Sequence, residues 1–97
     1  MRIVGRQRLE DFLRRHTDAG SWIRTWVAEA EAADWGTPQD IRERYSSSSL
    51  LADNVAIFNV KGNRYRLDTQ INYGTKVVVV RWIGTHAEYT RRIRRGG

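Results

Sequence analysis

The sequence predicts an α+β fold, with helices in the first half of the chain and a small antiparallel sheet in the second. Three observations carry this. Apolar residues recur at helical spacing between Arg6 and Ala30. From about Val55 the period changes to that of strands. Turns containing Gly62-Asn63 and Tyr73-Gly74-Thr75 separate the strand-patterned runs. With 97 residues and one compositional regime, the chain is expected to be a single domain, residues 1–97, around one modest core.

Taken in order, Met1 to Val4 reads as a short strand stopped by Gly5. Leu9, Phe12, Leu13 and His16 follow at i, i+3, i+4 and i+7, an amphipathic helix over Arg6 to His16. Asp18 is expected to cap the next helix with its carboxylate. Trp22, Ile23, Trp26, Val27 and Ala30 form its apolar stripe, which points to core packing for both tryptophans. Thr37 is a good N-cap with Pro38 at the first helical position, so a short helix runs to about Tyr45. Ser46 to Ser49 reads as a polar loop. Strands are expected over Val55 to Val60, Arg64 to Asn72 and Lys76 to Ile83. A last helix starts near Thr85, with Glu88 placed to complete a capping box. The tail Arg91-Arg-Ile-Arg-Arg-Gly-Gly is a charge run expected to fray.

Alternation assigns faces to the second long strand. Tyr65, Leu67, Thr69 and Ile71 share one face; Arg64, Arg66, Asp68 and Gln70 share the other. A turn centred on Tyr73-Gly74 pairs Leu67 with Val80, Tyr65 with Trp82 and Arg66 with Arg81. Both arginines then stand side by side toward solvent, an arrangement that an anion between them would relieve.

Composition narrows the function classes. No apolar run approaches the roughly 18 residues of a membrane span, and the N-terminus lacks a signal-peptide pattern, so a cytoplasmic protein is expected. The absence of Cys excludes disulfides and thiolate metal sites. No Gly-rich phosphate loop is present. The formal charge is +6, and all basic residues except Lys61 and Lys76 are arginine, whose guanidinium fork matches phosphate and stacks on bases. This balance points to nucleic acid as the partner.

His86 and Tyr89 lie three apart at the start of the last helix and share one face. With Arg64, Arg66 and Arg81 nearby, these residue types can supply ribonucleolysis without metal. That chemistry needs a base for the ribose 2′-OH, an acid for the leaving 5′-oxygen, and cations for the charge that develops on phosphorus. His86 is the candidate base, Tyr89 or Lys61 the candidate at the leaving oxygen, and Arg66 and Arg81 the phosphate holders. Asn63, Arg64, Lys61, Arg91 and Arg92 are candidate RNA contacts. Two distant histidines without a carboxylate cluster argue for no metal, and no cofactor is expected.

The segment Asn59-Val-Lys-Gly-Asn-Arg-Tyr-Arg-Leu67, together with Ile83-Gly-Thr-His-Ala-Glu-Tyr89, resembles the HigB group of RelE-like toxins of bacterial toxin–antitoxin systems. Ala33-Asp-Trp-Gly-Thr-Pro-Gln-Asp-Ile41 resembles the middle segment of the same group. The resemblance implies a small curved antiparallel sheet with two N-terminal helices packed on one face and a short C-terminal helix. It also implies an mRNA interferase that cleaves messenger RNA, generally on the ribosome, and a helix-turn-helix antitoxin of the HigA type as partner. The family's functional segments fall on Lys61 to Arg66 and Thr85 to Tyr89. An acidic residue commonly follows that Tyr in the group, where this chain has Thr90.

Two other readings stay open on sequence alone. A helix, three antiparallel strands and a helix with basic residues also resembles a double-stranded RNA-binding domain, which recognises A-form shape. A ParE-like gyrase inhibitor shares the fold class and targets a protein, and fold does not separate these because function lives in the site.

Overall fold

The structure, a computed structural model, describes residues 1–95. The chain runs β1 (Arg2–Val4), α1 (Arg6–Arg15), α2 (Gly20–Ala32), α3 (Pro38–Arg44), β2 (Ser49–Leu51), β3 (Val55–Val60), β4 (Tyr65–Asn72), β5 (Val77–Thr85) and α4 (His86–Arg95). The five strands form one sheet in the order β1-β5-β4-β3-β2.

One face of the sheet carries Ala56, Phe58, Val60, Tyr65, Leu67, Ile71, Val78 and Val80 into a single apolar cluster. Leu9 and Phe12 of α1, Ile23, Trp26 and Ala30 of α2, and Ile41 of α3 complete it. Of the stripes read from the sequence, Leu9, Phe12, Ile23, Trp26 and Ala30 are buried, whereas Leu13, His16 and Val27 are half-buried. Trp22 is half-buried too, and lines a groove instead of joining Trp26 in the core. Trp26 meets Phe58 edge-on at 5.4 Å, and Phe12 meets Tyr65 edge-on at 5.1 Å. Burial of each large apolar side chain contributes roughly 1.5–3 kcal/mol, which sets this face as the fixed one.

The helix signals hold where side-chain chemistry is local. Thr37 accepts from the Asp40 backbone N–H, and Asp40 accepts in return from the Thr37 N–H, so α3 starts in a capping box with Pro38 behind the cap. Thr85 and Glu88 make the same reciprocal pair at α4, with bonds of 2.8 and 3.1 Å. Thr85's N–H holds the Glu88 carboxyl below its ordinary range.

Four expectations are corrected. The sheet is mixed and not wholly antiparallel, because β1 lies parallel to β5. Alternation in a three-residue strand carries no direction, and the helices between β1 and β5 supply the long crossover that a parallel pair requires. Ser49 belongs to β2, an edge strand paired antiparallel with β3, and not to a loop. Asp18 does not cap α2: a 3₁₀ turn over Thr17–Ala19 precedes the helix, and the Asp18 carboxylate accepts instead from Tyr65 Oη at 2.7 Å and Arg64 Nη1 at 2.8 Å. Finally, the hairpin register differs. β4 and β5 are joined by a four-residue turn, Tyr73 to Lys76, so Leu67 faces Ile83, Tyr65 faces Thr85 and Arg66 faces Gly84. Arg66 and Arg81 are not cross-strand partners. Of the tail, Arg91 to Arg95 continue α4, while Gly96 and Gly97 lie outside the described residues.

Candidate functional site

The site is built by one extra residue in β5. Thr69 pairs with Val80 and Asp68 pairs with Trp82, so Arg81 is the additional residue of a β-bulge. Before the bulge, Val78 and Val80 point into the core. After it the alternation is inverted, and Ile83 takes the core side beside Leu67. Trp82 therefore joins Arg81 and Asp68 on the outer face of the sheet, a re-aiming that bulges commonly perform. Gly84 leaves room for it: a Cβ there would stand 2.5 Å from Trp82 Cζ2 and 2.9 Å from Glu88 Oε1.

On this outer face Asp68 is buried between two arginines. Arg81 Nε donates to Asp68 Oδ1 at 3.0 Å and Arg81 Nη2 to Oδ2 at 3.2 Å, a two-point fork. Arg92, from the second turn of α4, donates through Nη2 to the same Oδ2 at 3.4 Å. The Arg92 guanidinium also sits over the Trp82 ring at 5.3 Å, a cation–π contact. The Tyr89 ring is also tilted on Trp82, at 6.1 Å. Arg81, Arg92, Tyr89 and Asp68 line a groove of about 350 Å³ whose apolar walls are Leu51, Val55, Ile57 and Ile93.

The second part of the site is the turn between β3 and β4. Lys61 and Gly62 both take positive φ, 51° and 68°, and send the chain back toward β4. Arg66 is then buried, contrary to the expectation that it points to solvent. Its Nη2 donates to Asn63 Oδ1 at 2.6 Å, and its Nη1 to the carbonyls of Tyr65 and Asn63 at 3.1 and 3.4 Å. Arg64 pairs with Asp18, and the two bonds that Asp18 accepts from Tyr65 and Arg64 hold its carboxyl below the usual range. The same Asp18 bond pushes the Tyr65 phenol up.

The structure thus brings the two expected motifs together. The backbone N–H of His86 donates to the Arg64 carbonyl at 3.0 Å, and Arg66 lies opposite Gly84. His86 is exposed at the start of α4 and does not line the groove; Tyr89 and Ile93, at helical spacing from it, do. Lys61 is placed elsewhere, in a wider groove with Trp22, Tyr45 and Asn59. Arg91 faces a shallow concavity with Trp82, Glu88 and Arg95. Asp68 and Trp82 are the residues that sequence reasoning missed as site members. The available signal was Asp68 alternating with Arg66 on one strand face; the bulge hid its partner. Among the described residues, no three His, Asp or Glu side chains are gathered to hold a metal ion, and no helix is long and apolar enough to cross a membrane.

No curated protein matches the sequence. Residues 19–92, which include the turn, the bulge and most of α4, match the HigB_toxin family, described as the RelE-like toxic component of a toxin–antitoxin system. This chain belongs to that family of RelE-like toxins.

Proposed function

We propose that the chain is an mRNA interferase: an endoribonuclease that cuts messenger RNA in the cytoplasm, on the ribosome and without metal, and so stops translation. The observation that carries this reading is the groove in which Arg81, Arg92 and Tyr89 stand together over apolar walls. Arg81 and Arg92 are held in place by Asp68 at this half-exposed groove, and cations already positioned stabilise charge developing on phosphorus without first reorganising. The net charge of +6 supports a polyanionic substrate.

In this reading the ribose 2′-oxygen attacks the adjacent phosphorus while His86 takes the 2′-OH proton. The P–O5′ bond breaks, and the leaving oxygen receives a proton from Tyr89. Tyr89 is preferred to Lys61 for this step because it shares the groove with the arginines, whereas Lys61 lines the groove beside Trp22 and Tyr45. Arg81 and Arg92 face the charge on the phosphorane. Arg66, locked onto Asn63, shapes the turn through which the strand enters, and Asn63, Arg64, Lys61 and Arg91 contact its flanking phosphates. The products are a 2′,3′-cyclic phosphate and a 5′-OH end. The partner is an antitoxin, in this reading a HigA-like helix-turn-helix protein.

The helix–three strands–helix pattern of a double-stranded RNA-binding domain does not describe this five-stranded order with its preceding strand and three helices. The test is 5′-end mapping of cellular transcripts after brief induction, with and without the cognate antitoxin. Discrete new ends that vanish when the antitoxin is present support the reading; transcripts that remain intact while growth stops refute it.

A further inference from the structure

We propose that Asp68 is a positioning residue, which holds Arg81 and Arg92 as one preorganised phosphate clamp. The inference deepens the ribonuclease reading and rests on it for the identity of the anion. Two guanidiniums side by side repel each other. Here both bind one carboxylate oxygen, Asp68 Oδ2, which lets them approach while the trio keeps one excess positive charge. Arg81 spends Nε and one Nη2 hydrogen on Asp68 and retains Nη1; Arg92 spends only Nη2. Both arginines line the groove that Tyr89 also lines. An RNA phosphate completes the charge balance without first having to rearrange either arginine.

The competing reading is a pair that merely ties the fold together. Three facts count against it. Asp68 and Arg81 sit at neighbouring positions of strands already joined by backbone bonds, so their pair adds no new connection. The Asp68 side chain is 4% exposed, and burying a carboxylate costs desolvation that an apolar pair of the same shape avoids. Arg92 is in addition held over Trp82, so α4 has another tie to the sheet.

The test compares the full-length parent with Asp68→Asn and Asp68→Glu. Four quantities are measured: thermal midpoint, affinity for a non-cleavable 2′-O-methyl RNA oligonucleotide, the Arg81 Nε–H NMR signal, and the single-turnover cleavage rate on programmed ribosomes. In the parent, the Arg81 Nε–H signal is expected to be protected from exchange and to shift when oligonucleotide is added. Asp68→Asn, folded, is expected to lose that protection, to bind oligonucleotide as tightly or more tightly because its net charge has risen, and to cleave about 10²-fold more slowly. Asp68→Glu, which keeps the charge, is expected to restore protection and part of the rate.

Parental cleavage by a folded Asp68→Asn variant overturns the proposal and leaves the ribonuclease reading standing. An Arg81 Nε–H signal that exchanges in the parent like that of free arginine also overturns it, whether or not any variant folds. If the parent itself does not cleave, the ribonuclease reading falls. The clamp then stands if the Arg81 signal shifts with oligonucleotide in the parent and not in Asp68→Asn, and falls otherwise.

Discussion

Trp82 lies where a side chain on Gly84 would be: a Cβ at residue 84 would stand 2.5 Å from its ring. The ring is the platform that Arg92 covers at 5.3 Å and Tyr89 leans on at 6.1 Å. Gly84→Ala must therefore displace the indole or the Glu88 carboxylate that caps α4. The expected cost is about 1–3 kcal/mol of stability, as for overpacking, together with loss of cleavage. Denaturant unfolding followed by Trp fluorescence checks the first, and a cleavage assay on the folded fraction checks the second. A variant with parental stability and rate would show that the ring's position does not matter.

Arg81 and Arg66 differ in what their removal does. Arg81→Ala is expected to slow cleavage about 10²-fold, the usual effect of losing a donor to developing charge. Arg81→Lys should be impaired too, since an ammonium cannot reproduce the fork on Asp68. Arg66→Ala leaves the Asn63 side chain and two carbonyls without their donor, and is expected to cost about 1–3 kcal/mol of stability as well as activity. Thermal melts beside single-turnover rates separate the two. Arg81→Ala is expected to lose stability as well, because the buried Asp68 carboxylate is left with Arg92 alone. Parental cleavage by a folded Arg81→Ala would contradict the assignment.

The helix cap that delivers His86 and Tyr89 gives a third expectation. Thr85→Val removes the hydroxyl that accepts from the Glu88 N–H at 3.1 Å. The loss is expected to be about 1 kcal/mol, with fraying of the first turn of α4. Amide hydrogen exchange should rise at residues 86 to 90 and stay unchanged in the α2 stripe. Protection that does not change at 86 to 90 would mean that the cap is dispensable.

Acid stability follows from carboxyls held below their ordinary range. Asp18, Glu29, Asp40 and Glu88 are all depressed in the folded state, chiefly by bonds from Tyr65, Tyr45, the Gly36 N–H and the Thr85 N–H respectively. A depressed folded value means that stabilisation is fully present above the unfolded-state carboxyl range near 4 and is lost as pH falls through the folded values. The thermal midpoint should thus be flat above about pH 5 and fall steeply below about 4. Asp18→Asn removes one contributor and should make that fall shallower. Identical profiles for parent and variant would remove Asp18 from the account.

What the sequence disclosed and what it hid divide along a physical line. Thr37-Pro38 and Thr85 with Glu88 are local signals, decided by side chains reaching backbone within one turn, and they cap the expected helices. The stripes Leu9-Phe12 and Ile23-Trp26-Ala30 were equally legible, because helical period and burial are two views of the same geometry. The bulge at Arg81 was not. A period-2 reading carried through it assigns Trp82 to the core, and one extra residue reverses every later side chain. The direction of β1 and the pairing of Ser49–Leu51 depend on contacts distant in the chain, which a three-residue strand does not encode. Arg81 and Arg66 were found as residue types, while their partners, Asp68 and Asn63, emerge only once register is fixed.

The proposed function rests on RNA cleavage by attack of the 2′-oxygen, with His86 as base and Tyr89 at the leaving oxygen. The most direct measurement is identification of both product ends when the purified protein acts on programmed ribosomes, for the parent and for folded His86→Ala and Tyr89→Phe. The expected result is a 2′,3′-cyclic phosphate and a 5′-OH from the parent, with rates reduced about 10²-fold or more in each variant. Products bearing a 5′-phosphate, or parental rates in His86→Ala, would contradict the account.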